Sequence, residues 1–173
     1  IALLSQMALR RPGREPGGEL EEIERIARET SSAMREIVWL IRPSLNSTEE
    51  LVSQLRNAAS TLLHAITWEF RAGTLPDQMP LDFRRNLFLF AKEALHNAAR
   101  HAQAQTVTIA IEEMEGVLRL EVSDDGTGFH PHAAGPGRGL SSLRQRAEAL
   151  GGKLDIFSAP GEEVRHRCGE TTI

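Results

Sequence analysis

Lys92-Glu93-Ala94-Leu95-His96-Asn97-Ala98-Ala99-Arg100-His101 lies in the middle of a 173-residue chain and carries two patterns at once. Ala91, Ala94, Leu95 and Ala98 are small or apolar and recur at helical spacing. They predict a helix from Asp82 to about His101, with Leu87 and Phe88 in the same stripe and a sheet beneath it. Glu93, Asn97 and His101 follow one another at steps of four, which places a carboxylate, a carboxamide and an imidazole in a second stripe. Two oxygen donors one turn apart suit Mg2+, a hard cation that takes oxygen ligands in an octahedron. A solvated helix face carries the same residue types, so the stripe alone leaves both readings open.

Downstream the period changes to two. Val107, Ile109 and Ile111 predict a strand, Glu115-Gly116 a turn, and Leu118, Leu120 and Val122 the hairpin partner. The hairpin runs into Ser123-Asp124-Asp125-Gly126-Thr127-Gly128-Phe129. A carboxylate leaving a strand accepts a hydrogen bond from an exocyclic amine such as that of adenine, and glycines let backbone pass close to a flat ligand. An ordinary Asp-Gly turn is the plainer alternative. Gly137-Arg138-Gly139-Leu140 then opens a helix marked by Leu140, Leu143, Ala147 and Leu150. Glycines at a helix N-terminus offer backbone N–H groups to phosphate, and the helix dipole favours the anion. The stretch from Phe129 to Pro136 suits a mobile lid or a plain surface loop. No Gly-Lys-Ser/Thr follows, so this is not a P-loop; it follows a loop and lacks a third glycine, so it is not a Rossmann fingerprint. Gly151-Gly152 stops the helix, Leu154 and Ile156 mark a strand, and Thr171 to Ile173 reads as the start of a last one.

Upstream, Ile66, Trp68 and Phe70 alternate with polar residues and predict a strand. Ser47 and Glu50 form a capping box ahead of Leu51, Leu55, Ala58, Ala59 and Leu62. Leu20, Ile23, Ala27, Thr30, Met34, Ile37 and Ile41 alternate in steps of three and four, a heptad seam that ends at Arg42-Pro43. Such a seam packs on its own domain or on a second copy of the chain. Ile1 to Leu9 reads as the end of another helix, set off by the breakers from Arg11-Pro12-Gly13 to Pro16-Gly17-Gly18. The expected organisation is a helical hairpin over 1–45, a connecting helix over 46–62, and an α+β layer over 63–173 with a mixed sheet and helices on one face.

Composition narrows the function classes. Lys+Arg number 20 against 24 Asp+Glu, and the net charge of -4 disfavours a nucleic-acid binder. Hydrophobic residues at 40% exclude wholesale disorder. The single cysteine, Cys168, makes no internal disulfide and no zinc cluster, which fits a reducing, cytoplasmic compartment. No apolar run is long enough to span a membrane. The chain opens on Ile1, so it is expected to be a fragment whose missing N-terminal part would carry any membrane anchor or sensor.

Taken in order, the Glu-x-x-x-Asn helix, the hairpin ending in Asp-x-Gly-x-Gly and the Gly-x-Gly-Leu segment resemble the ATP-binding domain shared by sensor histidine kinases, gyrase-type topoisomerases and a heat-shock chaperone (the GHKL type). That resemblance covers about residues 63 to 173. Ile23 to Glu29 and Glu36 to Pro43 look like the second dimerisation helix of sensor histidine kinases of the nitrate-sensor type. Leu143-Arg144-Gln145-Arg146-Ala147-Glu148-Ala149-Leu150-Gly151-Gly152 is also similar to that subfamily, so the resemblance reaches nearly the whole chain. It implies a Bergerat-type sandwich beside a dimeric four-helix bundle, to which 1–45 would contribute partial dimerisation and phosphotransfer helices. It also implies ATP, Mg2+, histidine autophosphorylation and a response-regulator partner.

Residue by residue, the resemblance implies that Asn97 ligates Mg2+ and that Glu93 binds the metal's water or acts as a base. His101 and Arg100 would lie near the phosphates. Asp124 would read the adenine amine, with Gly126 and Gly128 making room. Gly137 and Gly139 would serve the phosphates and the lid hinge, with Leu140 beside them. The family's phosphoacceptor histidine, on the first bundle helix, has no counterpart in Ile1 to Leu9 and is expected upstream. His64 falls at a helix-to-strand junction, His96 points away from Asn97, and His130, His132 and His166 are expected on loops. The family's Ser-x-Pro-Gly-x-Gly-Thr is replaced by Ser158-Ala159-Pro160-Gly161 and an irregular run to Cys168, which makes Thr171 the expected displaced threonine. Two alternatives remain at this point: a gyrase-like ATP hydrolase in which Glu93 activates water, and a non-catalytic dimer module that has lost ATP binding. The heptad helix argues against the first, and the irregular run from Glu162 to Glu170 is the best support for the second.

Overall fold

The structure, a computed structural model, describes residues 23–27, 30, 31, 34, 37–39, 47–128, 138–159 and 164–172, with 138 and 169–172 described by backbone alone. The chain divides into two compact units, Ile1–Leu45 and Asn46–Ile173. Every described residue of the first unit is helical, as the heptad spacing predicts. Met34, Ile37 and Val38 stand exposed there, whereas Trp39 is buried. The expected helix over 1–9 and the loop after it lie outside the described residues.

The second unit contains α1 (Thr48–Leu62), β1 (Thr67–Ala72), α2 (Leu81–Asn97), β2 (Thr106–Met114), β3 (Val117–Asp124), α3 (Arg138–Ala149), β4 (Lys153–Phe157) and β5 (Val164–Thr172). The strands form one sheet in the order β1-β2-β3-β5-β4. β1 and β2 are parallel and every other pair is antiparallel. A parallel pair needs a crossover connection, and α2 supplies it. Val107, Ile109 and Ile111 of β2 and Leu118, Leu120 and Val122 of β3 are buried on one face. Their period of two meets the buried residues Leu87, Phe88, Phe90, Ala91, Ala94 and Leu95 of α2. Each large apolar side chain so buried stabilises the fold by roughly 1.5–3 kcal/mol.

Local chemistry sets the boundaries. The Ser47 hydroxyl accepts the Glu50 N–H at 3.3 Å and starts α1. That helix, expected as a connecting helix over 46–62, falls within the second unit and buries Leu51, Leu55 and Ala59. Glu115 (φ 55°) and Gly116 (φ 78°) both take positive φ, which is the type I′ geometry that matches strand twist in a two-residue hairpin. At the end of α3 the Gly152 N–H donates to the Ala147 carbonyl and the Gly151 N–H to that of Glu148, both at 2.9 Å, a Schellman cap.

Two expectations are corrected. The helix expected to run to His101 is α-helical only to Asn97; Ala98–Ala102 form a π-helical turn, closed by Gln103 at φ 53°. The step-of-four stripe therefore holds for Glu93 and Asn97, while His101 sits on a wider turn. The last strand begins at Val164 and not at Thr171, so His166 lies within a strand and not on a loop. The segment that looked irregular alternates correctly: Val164, His166 and Cys168 are buried, and Arg165 and Arg167 face away. Arg167 is satisfied on the open face by Glu121 at 2.7 Å and by the Phe157 ring, whose centroid is 5.6 Å from its guanidinium carbon.

His166 stands between Val122 on β3 and Ile156 on β4 at 2% exposure. Burial pushes its imidazole down from 6.5 to about 4, and the same burial pushes the Cys168 thiol up to about 11. Between pH 6.5 and about 4 the unfolded chain binds a proton on this histidine that the folded chain refuses. The stability carried by neutral His166 is thus complete above pH 6.5 and is lost as the pH falls toward 4. Urea unfolding at pH 7.5 and pH 4.5 should show His166→Leu losing less stability over that interval than the parent, by an amount on the order of 3 kcal/mol. Parallel losses in the two proteins would refute the assignment.

Candidate functional site

Two contacts frame the end of α2: the start of α3 lies against it, and the loop after β3 lies against the π-helical turn that follows it. A Cβ placed on Gly139 would stand 2.8 Å from Glu93 Oε1 and 3.1 Å from Asn97 Oδ1. The first turn of α3 therefore lies directly on α2, and a carboxylate oxygen and a carboxamide oxygen converge on one point beside it. Backbone N–H groups of that first turn have no partner within their own helix. Two motifs far apart in sequence become one cluster there. Leu140 follows, half-buried.

Arg146 lies seven residues beyond Gly139, on the same face of α3. Burial lowers its pKa, the Glu93 carboxylate raises it, and Arg85 lowers it again. Its Nε atom is buried without a hydrogen-bond partner among the described residues. Sequence reading passed over Arg146; the heptad step from Gly139 was the available signal. On α2, burial and the nearby Arg100 charge lower the pKa of His96, with Glu93 opposing them. Arg100 and His101 are exposed on the π-helical turn.

Asp124 closes β3 between Val107 of β2 and Val164 of β5, at 4% exposure. A carboxylate on an otherwise apolar face is costly unless it is paired. The Gly126 N–H donates to its Oδ1 at 3.1 Å. Gly126 itself, expected to make room for a ligand, turns its bare face elsewhere: a Cβ there would lie 2.2 Å from the Ala102 carbonyl oxygen. That oxygen accepts the Thr127 N–H at 2.8 Å and the Thr127 hydroxyl at 3.3 Å. Gly128 takes φ 64°, the left-handed region that favours glycine. Asp125, absent from the expected site, accepts the N–H groups of Gln105 and Thr106 on Oδ1, both at 2.8 Å. The Thr106 N–H, helped by that of Gln105, holds its carboxyl below the usual carboxylate range against the opposing effect of burial. The second carboxylate of Asp124-Asp125 was the sequence signal, since aspartate readily caps backbone N–H groups in turns.

One expected residue is not brought to the cluster. Thr171 stands opposite Leu118, whereas Val164 stands opposite Asp124. Thr171 is therefore the length of β3 away, roughly 20 Å at 3.3 Å per residue. The early start of β5 is the reason: it brings Val164, not Thr171, to the end of the ladder. Gly137, His130 and His132 lie outside the described residues. No group of three or more His, Cys, Asp or Glu residues gathers among the described residues. The hard oxygens of Glu93 and Asn97 fit Mg2+, which is commonly held by one or two protein ligands, with substrate phosphates and waters completing the shell.

The contact at Gly126 is directly testable. Gly126→Ala should destabilise the second unit by roughly 1–3 kcal/mol, because a methyl group must displace backbone and not a flexible side chain. Gly116→Ala, where nothing lies within 4 Å, meets only backbone strain. Thermal melts in which Gly126→Ala unfolds with the parent would refute the close approach.

The chain is similar to known proteins over most of its length. Residues 84–171, just over half the chain, match the family model described as histidine kinase-, DNA gyrase B-, and HSP90-like ATPase. The signal transduction histidine-protein kinase/phosphatase UhpB of Salmonella typhimurium is 26% identical over 169 residues, covering 94% of this chain and 33% of that protein. The sensor histidine kinase DesK of Bacillus subtilis is 28% identical over 149 residues, covering 84% of this chain and 39% of that one. The chain thus spans little more than a third of these curated relatives. Among solved structures, the histidine kinase domain of the Erythrobacter litoralis EL346 blue-light activated kinase superposes with a TM-score of 0.55 at 26% identity, over 68% of this chain and 60% of that one. The histidine kinase AdeS of Acinetobacter baumannii superposes with a TM-score of 0.60 over 99% of this chain and 94% of that one; at 17% identity it speaks to the fold alone.

Proposed function

The chain belongs to the histidine kinase-, DNA gyrase B-, and HSP90-like ATPase family, and on that premise we propose that it is the ATP-binding catalytic part of a sensor histidine kinase. The observation that carries this reading is the convergence of Glu93 Oε1 and Asn97 Oδ1 beside the first turn of α3. Asn97 would hold Mg2+ through its carboxamide oxygen, and Glu93 would hold a metal-bound water or take a proton. Mg2+, when bound, supplies positive charge against the charge that builds on the transferred phosphoryl group. Asp124, ionised, accepts hydrogen bonds and donates none, which suits the adenine amine and not the guanine carbonyl. The start of α3, with Gly139, would face the phosphates. Arg100 and His101, on the exposed turn after Asn97, would approach them from the other side.

Catalysis of this kind is positioning and charge stabilisation, with the γ-phosphoryl group passing to a histidine nitrogen. The acceptor would come from a segment preceding this sequence, and the phosphoryl group would then pass to a response regulator. Within the chain, His166 is sealed in the sheet and His96 lies on α2 among the site's own residues. The non-catalytic alternative loses its main support, because the run after Glu163 is an ordered central strand. No helix among the described residues is long and apolar enough to cross a membrane. A cytoplasmic catalytic part within a membrane-anchored parent fits that observation.

Titration calorimetry tests the nucleotide reading. The chain should bind Mg2+-ATP, and Asn97→Ala should weaken binding by at least about tenfold while melting with the parent. Unchanged affinity in the variant would remove Asn97 from the site, and no binding by the parent would end the proposal.

Self-association is proposed through the heptad helix. Met34 and Ile37 belong to the predicted seam and are 63% and 58% exposed, so each leaves apolar surface to be covered. Sedimentation should show a concentration-dependent dimer that Ile37→Lys disrupts. A parent that stays monomeric at high concentration, or a variant that dimerises equally well, would count against this interface.

A further inference from the structure

We propose that Asp125 is a positioning residue that fixes the spacing between the Asn97 end and the Asp124 end of the site. The inference rests on the nucleotide reading above and adds to it a part that touches no ligand. Asn97 is the last residue of α2 and leads directly into the π-helical turn Ala98–Ala102. Asp124 is the last residue of β3 and leads directly into Asp125-Gly126-Thr127. The two segments that leave the site are fastened to each other. Asp125 Oδ1 accepts from Gln105 N–H and Thr106 N–H at 2.8 Å each, and the Asp125 N–H donates to the Thr106 carbonyl at 3.2 Å. Thr127 holds the Ala102 carbonyl with both its N–H and its hydroxyl, and Gly126 has no side chain because that carbonyl occupies the space.

A π-helical turn is a rare and wide geometry, found mostly as a single turn within or at the end of an α-helix. Its last carbonyl here is claimed by Thr127, and the chain beyond Gln103 is claimed by Asp125. The turn is thereby held at one width, and the position of Asn97 relative to Asp124 follows from it. The charge on Asp125 strengthens both of its backbone bonds. Gly126 and Thr127 accordingly serve contacts within the protein, although they sit in the stretch that sequence reading assigned to a ligand.

Two probes separate positioning from simple support of the loop. Mg2+-ATP spans both ends of the proposed site, while adenosine reaches only the Asp124 end. In titrations followed by NMR, Asp125→Ala should weaken Mg2+-ATP by about tenfold and adenosine by less than about twofold. Asp125→Asn keeps a side-chain oxygen able to accept both N–H groups and should restore Mg2+-ATP binding to within about threefold of the parent. If Asp125→Ala fails to fold, Thr127→Val removes only the hydroxyl and should show the same selective loss in smaller measure. Equal losses for both probes, or none for either, in a parent that binds both, would overturn the positioning role alone. A parent that binds neither probe would overturn the nucleotide reading and this inference with it.

Discussion

Burial of the apolar stripe of α2 on the sheet is the contact from which the rest of the second unit follows. Leu87, Phe88, Phe90, Ala91, Ala94 and Leu95 are all withdrawn from water, which fixes the helix in rotation as well as in place. With its rotation fixed, the helix has little freedom in where Glu93 and Asn97 go: they emerge at the side where α3 arrives. The small residues Ala91 and Ala94 are as fully buried as the large ones, so the helix lies close on what it covers. The same helix carries the parallel crossover between β1 and β2, so one element sets both the topology and the placement of the oxygen donors.

Close approach without side chains is the second theme. At Gly139 one helix meets another within contact distance of two oxygen donors, and at Gly126 a loop meets the last carbonyl of a π-helical turn. The two glycines look alike in sequence, each within a short glycine motif, but they differ in what occupies the missing Cβ position. Polar side chains lie beside Gly139, and backbone lies beside Gly126. Only the first opens toward the converging donors.

Much of this was legible in the sequence, and the reasons are physical. The alternation at Val107–Ile111 and Leu118–Val122, the Glu115-Gly116 turn and the Gly151-Gly152 cap are local signals whose geometry depends on neighbours a few residues away, and each appears in the structure. The spacing of Glu93 and Asn97 was equally local. What escaped depended on distant partners. β5 reads as irregular because its inward residues include His166 and Cys168 and its outward ones are arginines; only Glu121 on β3 and Phe157 on β4 make Arg167 at home in a central strand. The placement of Thr171 failed with it, since register follows from where a strand begins. The π-helical turn after Asn97 was hidden as well: Ala98, Ala99 and Ala102 are good α-helix formers, and the partner of the turn's last carbonyl, Thr127, lies 25 residues later in the chain.

The place of β5 has a consequence for how the sheet is assembled. β4 touches the sheet only through β5, and β3 has β5 as its second neighbour, so the last strand in sequence is the one that closes the gap between two earlier ones. A chain emerging in order, N-terminus first, completes α2, β2 and β3 while the outer edge of β3 still lacks its partner. Through that interval the edge presents unpaired N–H and C=O groups beside an apolar face, a ready template for a strand from another molecule. Productive folding is then a race between insertion of the chain's own late strand and capture by a foreign one.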